Sequence, residues 1–366
     1  MKRWNRHIER WLLGSMQMLL LMVCMLMLVA CAEDSDTDNG SGSGTDVPQT
    51  NQLRLSSATR EGETATPDYL SEGNIKVFVT SNDAVAFEGS FSKNSSDALW
   101  NSTNLKIKED TQYYLYGYMP NTVSGEIAKP DGADYSDGAT LTLTGLPVFS
   151  DEDFRVIVGV QRVTDIADLT AATEGTFSYL SGPSSQNYVN LLMGHVYSQL
   201  ILQFNVDETY NALRHIKLKT VKLTSTYDEK VDATIKLQAG KSLDANSVAY
   251  SKNTDAGSGS SKDLEILKNT EAEKSLTTTA ADVSFGPFNC APSTFDADGS
   301  NLTLTCTYDV YDTEGNKVRE NCSVTNKVKV TGMAPGVKKI LTLTVTPTYL
   351  YVLSDDDLNN PTIKVN

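Results

Sequence analysis

Apolar residues recur at every second position through most of this chain, with Thr, Val, Tyr and Leu prominent in the alternating runs and helical periodicity scarce. The pattern predicts an all-β protein. In the first half it marks strands at 52–58, 74–80, 86–91, 104–108, 113–119, 140–143 and 154–161, separated by the Gly, Asn, Asp and Pro residues that turns require. Residues 163–172 read as a short helix or an irregular loop. A Gly/Pro/Ser break at 181–186 precedes a second series of strands at 188–192, 195–205, 215–224, 231–237, 283–288, 302–311, 322–330 and 338–346. Within that series, 251–261 is a polar Gly/Ser-rich stretch expected to be a surface loop. At 303–311 and 341–345 Thr fills most of the positions between the apolar ones, so one face is wet. That suits two antiparallel sheets packed face to face. The expected organisation is an N-terminal β-sandwich over 51–185, a C-terminal β-sandwich over 186–346 and a separate tail over 347–366.

The first 30 residues have a different character. Lys2, Arg3, Arg6 and Arg10 form a basic start, 11–30 is almost wholly apolar, and Leu28-Val29-Ala30-Cys31 closes the run. This reads as a lipoprotein signal peptide, with Cys31 becoming the lipid-bearing N-terminus after cleavage. A transmembrane helix is the alternative, since about 20 apolar residues can cross a bilayer. Against it, 31–50 carries Glu33, Asp34, Asp36 and Asp38 and a Gly/Ser run, which is the composition of a tether rather than of a basic cytoplasmic flank. The acids after Cys31 also resemble the surface-export signal of Bacteroidetes lipoproteins, which implies a place outside the outer membrane.

Charge narrows the partners. Of 31 bases and 46 acids, four bases and one acid lie in 1–30, so the mature chain has 27 against 45 and a net charge of −18. Such a chain repels nucleic acid and anionic headgroups, and no basic patch is legible. Cys290, Cys306 and Cys322, with 15 residues between each and the next, fit neither a zinc knuckle nor a redox pair. They read as small buried residues in strands, with one disulfide possible in an oxidising compartment.

Catalytic signatures are missing. His195 and His215 stand in no metal-binding frame and near no Gly-flanked nucleophilic Ser, and a strand histidine ordinarily packs or hydrogen-bonds. Asp355, Asp356 and Asp357 lack the spaced oxygens and Gly turn of a calcium loop, and read as a solvated turn. Neither an enzyme, a cofactor nor a metal is expected.

A strand stands at each end of the mature chain. Residues 51–59 end at Arg60, and the polar run 61–67 follows, so Arg60 offers an exposed cut site to an arginine-specific protease. Arg54 lies inside the strand, where a protease could reach it only after local unfolding. At the far end Pro347 is expected to break the last domain strand. Beyond it, 349–353 and 362–365 offer two strands without an evident partner.

Four places in this layout resemble the fimbrillin family of Bacteroidetes, the pilins and pilus-associated lipoproteins. They are the lipobox at Cys31; Ala58-Thr59-Arg60 ahead of Asn74-Ile75-Lys76-Val77-Phe78-Val79; the segment from Leu191 to Leu200 through Met193-Gly194-His195; and the tail Pro347-Thr348-Tyr349-Leu350-Tyr351-Val352-Leu353-Ser354-Asp355. Met193-Gly194 departs from the family pattern, where an aromatic or aliphatic residue precedes a polar one. The resemblance implies two transthyretin-like sandwiches, export as a lipidated precursor, and a cut after Arg60 that removes the first strand. It implies as partners other fimbrial subunits, the processing protease, and the outer membrane through the lipid. A neighbouring subunit's strand then fills the opened groove.

The physics of that scheme is β-strand addition. Losing a strand uncovers unpaired backbone groups and apolar side chains together, and one incoming strand repairs both. Leu53 and Leu55 are expected to fill the groove in the precursor, and Tyr349, Tyr351 and Leu353, with Ile363 and Val365, to do so afterwards. Burying four or five such side chains is worth roughly 6–15 kcal/mol before ordering entropy is subtracted. Alternatively the tail completes its own domain, as suits a tip or anchor subunit. The competing function is a surface lipoprotein that binds glycans through aromatic platforms, for which Trp100 and Tyr113, Tyr114, Tyr116 and Tyr118 are the available rings.

Overall fold

The computed structural model describes residues 52–57, 68–70, 73–94, 96, 99–102, 107–122, 126–163, 172–182, 188–228, 230–253, 261–268, 272–282, 288–291, 302–328, 330–349 and 356–365. The expected signal and tether, Cys31, Arg60, Tyr351 and Leu353 lie outside them, as does most of the proposed loop at 251–261.

The chain is all-β, as the alternation predicts. In order, the strands are β1 (Gln52–Ser57), β2 (Asp68–Tyr69), β3 (Gly73–Thr80), β4 (Val85–Lys93), β5 (Trp100–Asn101), β6 (Gln112–Met119), β7 (Glu126–Ile127), β8 (Gly138–Pro147), β9 (Phe149–Ser150), β10 (Arg155–Val163), β11 (Ser178–Leu180) and β12 (Tyr188–His195). They continue with β13 (Ser198–Val206), β14 (His215–Asp228), β15 (Lys230–Gln238), β16 (Val248–Lys252), β17 (Ser261–Leu267), β18 (Lys274–Ser275), β19 (Ala281–Asp282) and β20 (Phe288–Cys290). The last four are β21 (Leu302–Tyr311), β22 (Lys317–Val328), β23 (Lys338–Tyr349) and β24 (Asp356–Val365). Among the described residues a short helix, α1 (Glu208–Asn211), follows β13, capped by the Asp207 side chain, which accepts from the Tyr210 N–H at 3.1 Å.

Four sheets result. The first runs β10-β12-β1-β5-β4-β3-β6-β11 with β2 beside β1, and β6 also pairs with β10, so the sheet rolls up until its ends meet. Its inner face holds an apolar cluster that includes Val77, Phe91, Trp100, Leu115, Leu191 and Met193. A six-stranded sheet (β24-β23-β13-β20-β9, with β19 on β13) and a five-stranded sheet (β17-β14-β21-β22, with β18 on β14) are built, β9 apart, from the C-terminal half. Their apolar faces share one core, in which Leu202, Phe204, Leu223, Leu304 and Leu343 are almost wholly buried. Among the named strands only β1–β12 and β13–β23 pair in parallel.

Strands from either side of residue 185 share sheets. A four-stranded sheet runs β16-β15-β8-β7, and β9 joins β20 through Cys290 and Phe149. β12, assigned from the sequence to the second sandwich, pairs within the first sheet, and the chain passes to the next sheet at Val196–Tyr197. That bend is tied down on both sides: the Val196 N–H donates to Phe154 O at 2.9 Å, the Tyr250 hydroxyl to Val196 O at 2.8 Å, and the Tyr197 hydroxyl to Pro147 O at 2.7 Å.

Three local expectations change. Pro347 does not end its strand: β23 runs through it to Tyr349, and the ladder to β24 is irregular between Thr346 and Thr348. Proline has no N–H to give, and an interrupted register is where a strand tolerates it. Of the strand expected at 104–108, residues 104–106 lie outside the described ones and Ile107 and Lys108 lie outside any strand; the two-residue β5 stands ahead of them. Asp356 and Asp357 open β24, opposite Tyr349 and Thr348, rather than forming a turn.

Candidate functional site

β1 lies between two neighbours. Along one side it runs parallel to β12, with Gln52, Leu53, Arg54, Leu55, Ser56 and Ser57 opposite Tyr188, Val189, Asn190, Leu191, Leu192 and Met193. Along the other it pairs antiparallel with β5, Leu53 opposite Trp100, and with β2, Ser57 opposite Asp68. β12 takes its place because Val189, Leu191 and Met193 face the inner core while Leu192 joins the outer one, leaving the strand buried on both faces. Gly194 permits the close contact that follows: a Cβ there would meet Val158 Cγ1 at 2.6 Å. This accounts for a glycine in the Met193-Gly194 pair that departs from the family pattern.

β1 leaves a polar group unmet on each neighbour. Asn190 is completely buried, and neither side-chain atom of its amide has a hydrogen-bond partner among the described residues. Trp100, 1% exposed, keeps its indole N–H unpaired in the same sense. Buried polar groups are nearly always satisfied, so two flanking one short strand call for an explanation.

The far end of the chain is folded back on its own body. β24 pairs antiparallel with β23, placing Val365 opposite Leu343 and Ile363 opposite Val345. Ile363 is buried, and the Asn326 side-chain amide on β22 donates to its carbonyl at 3.0 Å, so β24 bridges the margins of the six- and five-stranded sheets. Of the residues singled out from the sequence, the structure thus sets Leu53 and Leu55 in the seat beside β12, and Tyr349, Ile363 and Val365 in the β23–β24 hairpin.

The other candidate groups have structural employment. His195 Nδ1 lies 2.6 Å from Asp153 Oδ2, and Arg155 Nη2 lies 3.1 Å from the same oxygen, which pins the end of β12 to the start of β10. His215 is exposed, its Nδ1 3.5 Å from Asn211 Oδ1. Cys290, Cys306 and Cys322 are buried and form no disulfide among the described residues. The rings offered for a glycan platform are enclosed: Trp100, Tyr113 and Tyr116 are buried and Tyr114 and Tyr118 half-buried against the core. Tyr116 donates to Tyr135 O at 2.5 Å and stacks on Phe177, and burial pushes its hydroxyl pKa well above the ordinary value.

A buried carboxylate that the sequence did not flag sits on β21. Asp309 is fully buried; Lys317 Nζ approaches Oδ2 at 2.7 Å, Lys219 Nζ lies 3.8 Å from Oδ1, and the Asn321 N–H donates to Oδ1 at 2.7 Å. Burial alone would raise its pKa, but these partners outweigh it and hold the carboxyl below the usual range.

No protein-family model and no curated protein matches this sequence. Solved structures similar to it are fimbrial and cell-adhesion proteins of Bacteroidetes. A fimbrial protein from Bacteroides vulgatus is 13% identical with a TM-score of 0.41, the match covering 86% of this chain and 98% of that one. The fimbrial anchor protein Mfa2 from Porphyromonas gingivalis is 9% identical with a TM-score of 0.33, over 87% and 97%. The architecture described above rests on the strand pairings themselves, and no residue role is carried over from these structures.

Proposed function

We propose that this chain is a structural subunit of a cell-surface fimbria with a role in adhesion, exported as a lipoprotein acylated at Cys31, cut after Arg60 and polymerised by strand exchange. The observation that carries the reading is the seating of β1. It is a terminal strand lodged between β12 and β5, and Arg60 falls in the stretch between β1 and β2, so one cut separates β1 from the rest of the body. Its departure would leave the β1-facing edge of β12 unpaired from Tyr188 to Met193, beside Val189, Leu191 and Trp100 of the inner core. Six residues of extended edge span about 20 Å, a length that one strand of a neighbouring molecule covers.

A second reading has its own observation. β24 is paired in cis and Ile363 is buried against the body, which suits an anchor or tip subunit whose tail is not donated. The two readings separate on treating the purified precursor with an arginine-specific protease. A stalk subunit loses a fragment ending at Arg60 and assembles into an SDS-resistant ladder. A chain that is cut there and stays monomeric is an anchor or tip subunit, and one that keeps β1 under all conditions is not a strand-exchange pilin. Replacing Cys31 with Ala abolishes incorporation of labelled palmitate if the lipobox is used.

A further inference from the structure

Two irregularities in the five-stranded sheet face each other across β21. The β14–β21 ladder slips between Leu218 and Thr220, which makes Lys219 an extra residue, and the β21–β22 ladder slips between Tyr308 and Val310, at the level of Asp309. Beside that second slip, Asn321 on β22 has a left-handed backbone, with φ +52°. Bulges re-aim side chains, and these two bring together side chains from strands that are not hydrogen-bonded neighbours. β14 and β22 flank β21 and so run two strand spacings, about 10 Å, apart. Yet the Lys219 ammonium donates to Asn321 Oδ1 at 2.8 Å. On the strand between them, the fully buried Asp309 has its Oδ1 3.8 Å from Lys219 Nζ and accepts the Asn321 N–H at 2.7 Å.

An amine, a carboxamide carbon and a carboxylate close to both are the parts of an amide-forming site. We propose that Lys219 and Asn321 join in an intramolecular amide, with Asp309 as the proton carrier. Asp309 takes one proton from the Lys219 ammonium, and the lone pair so exposed on Nζ attacks Asn321 Cγ. A second Nζ proton passes to Nδ2, the Cγ–Nδ2 bond breaks, and ammonia leaves, taking up the proton held on Asp309. Ammonium side chain plus carboxamide thus give a secondary amide plus ammonium ion, with no oxidant, reductant or further reactant. Asn321 is exposed, so the ammonium ion departs directly to solvent. Lys317, 2.7 Å from Asp309 Oδ2, faces an ionised carboxylate, which is a poorer electrophile than the neutral Asn321 amide. The amide ties β14 to β22 over the top of β21 and closes a loop between positions 102 apart. It is a staple that reduction does not open, in a chain whose Cys290, Cys306 and Cys322 form no disulfide among the described residues. It stands whether or not the chain polymerises.

Mass spectrometry of the purified full chain, beside a Lys219→Arg chain as reference, is the test. After allowing for the substitution, the wild-type chain is lighter by one ammonia, and its tryptic digest contains one branched peptide in which Lys219 is joined to Asn321. Asn321→Ala keeps the unmodified mass of its own sequence, and both variants melt at a lower temperature than wild type. Asp309→Ala, shown to be folded by its own cooperative melt, also keeps its unmodified mass. A wild-type chain that retains its full mass after days at neutral pH overturns the proposal. So does a loss of ammonia with Lys219 still open to trypsin, because that is a succinimide at asparagine. Formation of the branched peptide in folded Asp309→Ala as fast as in wild type overturns the role of Asp309.

Discussion

Ile363 lies opposite Val345 across the β23–β24 ladder, and both side chains are buried. Through this one pair the chain's last strand is held to the same core that Leu341 and Leu343 build. Ladder hydrogen bonds to β23 and the Asn326 clasp on the Ile363 carbonyl add to that hold.

Ile363→Ala is therefore expected to loosen β24 by about 2–5 kcal/mol while leaving the sandwich intact. Hydrogen exchange reads this directly: β24 amides lose protection and those of β14 and β21 keep it. Equal loss in all three would mean that the hairpin is part of the global folding unit.

Gly117→Ala is expected to destabilise the first sheet by about 1–3 kcal/mol, because a Cβ there would meet Lys76 O at 2.2 Å and Ile157 Cδ1 at 2.9 Å. β3 and β6 would have to separate at the Val77–Gly117 pair. Denaturant midpoints of the two proteins measure it, and an unchanged midpoint would contradict the close approach.

Asp309 makes stability depend on pH in one direction. Its folded-state carboxyl titrates below the ordinary range, so its contribution is complete at neutral pH and is lost as pH falls through that lowered value. Asp309→Ala strands the Asn321 N–H and removes the nearer of the two carboxylates that pair with Lys317, and is expected to cost about 1–3 kcal/mol at pH 7. Melts of both proteins between pH 7 and pH 3 should converge at the acid end.

Burial pushes the Cys306 thiol up to about 12, so the thiolate is essentially unpopulated in the folded protein. Iodoacetamide at pH 8 is expected to leave Cys306 and Cys290 unmodified in the native chain and to label both in denaturant, read by intact mass. Rapid native labelling at Cys306 would place it outside the core.

Where one face of a strand is wet, the alternation identified it closely. β21 occupies the predicted 302–311, and β3, β6, β14 and β15 depart from their predicted bounds by a few residues. The passage from β12 to β13 was not legible, because β12 is buried on both faces and its alternation disappears. β17 was missed because Lys262, Asp263 and Glu265 make it read as loop. The pairing of β8 with β15 joins residues about 90 positions apart, and no local pattern encodes such a choice. β1 itself is legible in the alternation around Leu53 and Leu55, whereas the burial of Asn190 is not: an asparagine among apolar residues declares no role until its burial and missing partners are seen.

The parallel alignment of β13 with β23 bears on how the molecule carries load. Eight successive residues, Gln199 to Val206, lie in unbroken register with Lys338 to Val345. Tension entering ahead of β13 and leaving beyond β23 pulls those strands lengthwise past each other. All eight positions then share the strain at once, and the ladder resists as a glued lap joint does instead of peeling open like a zip.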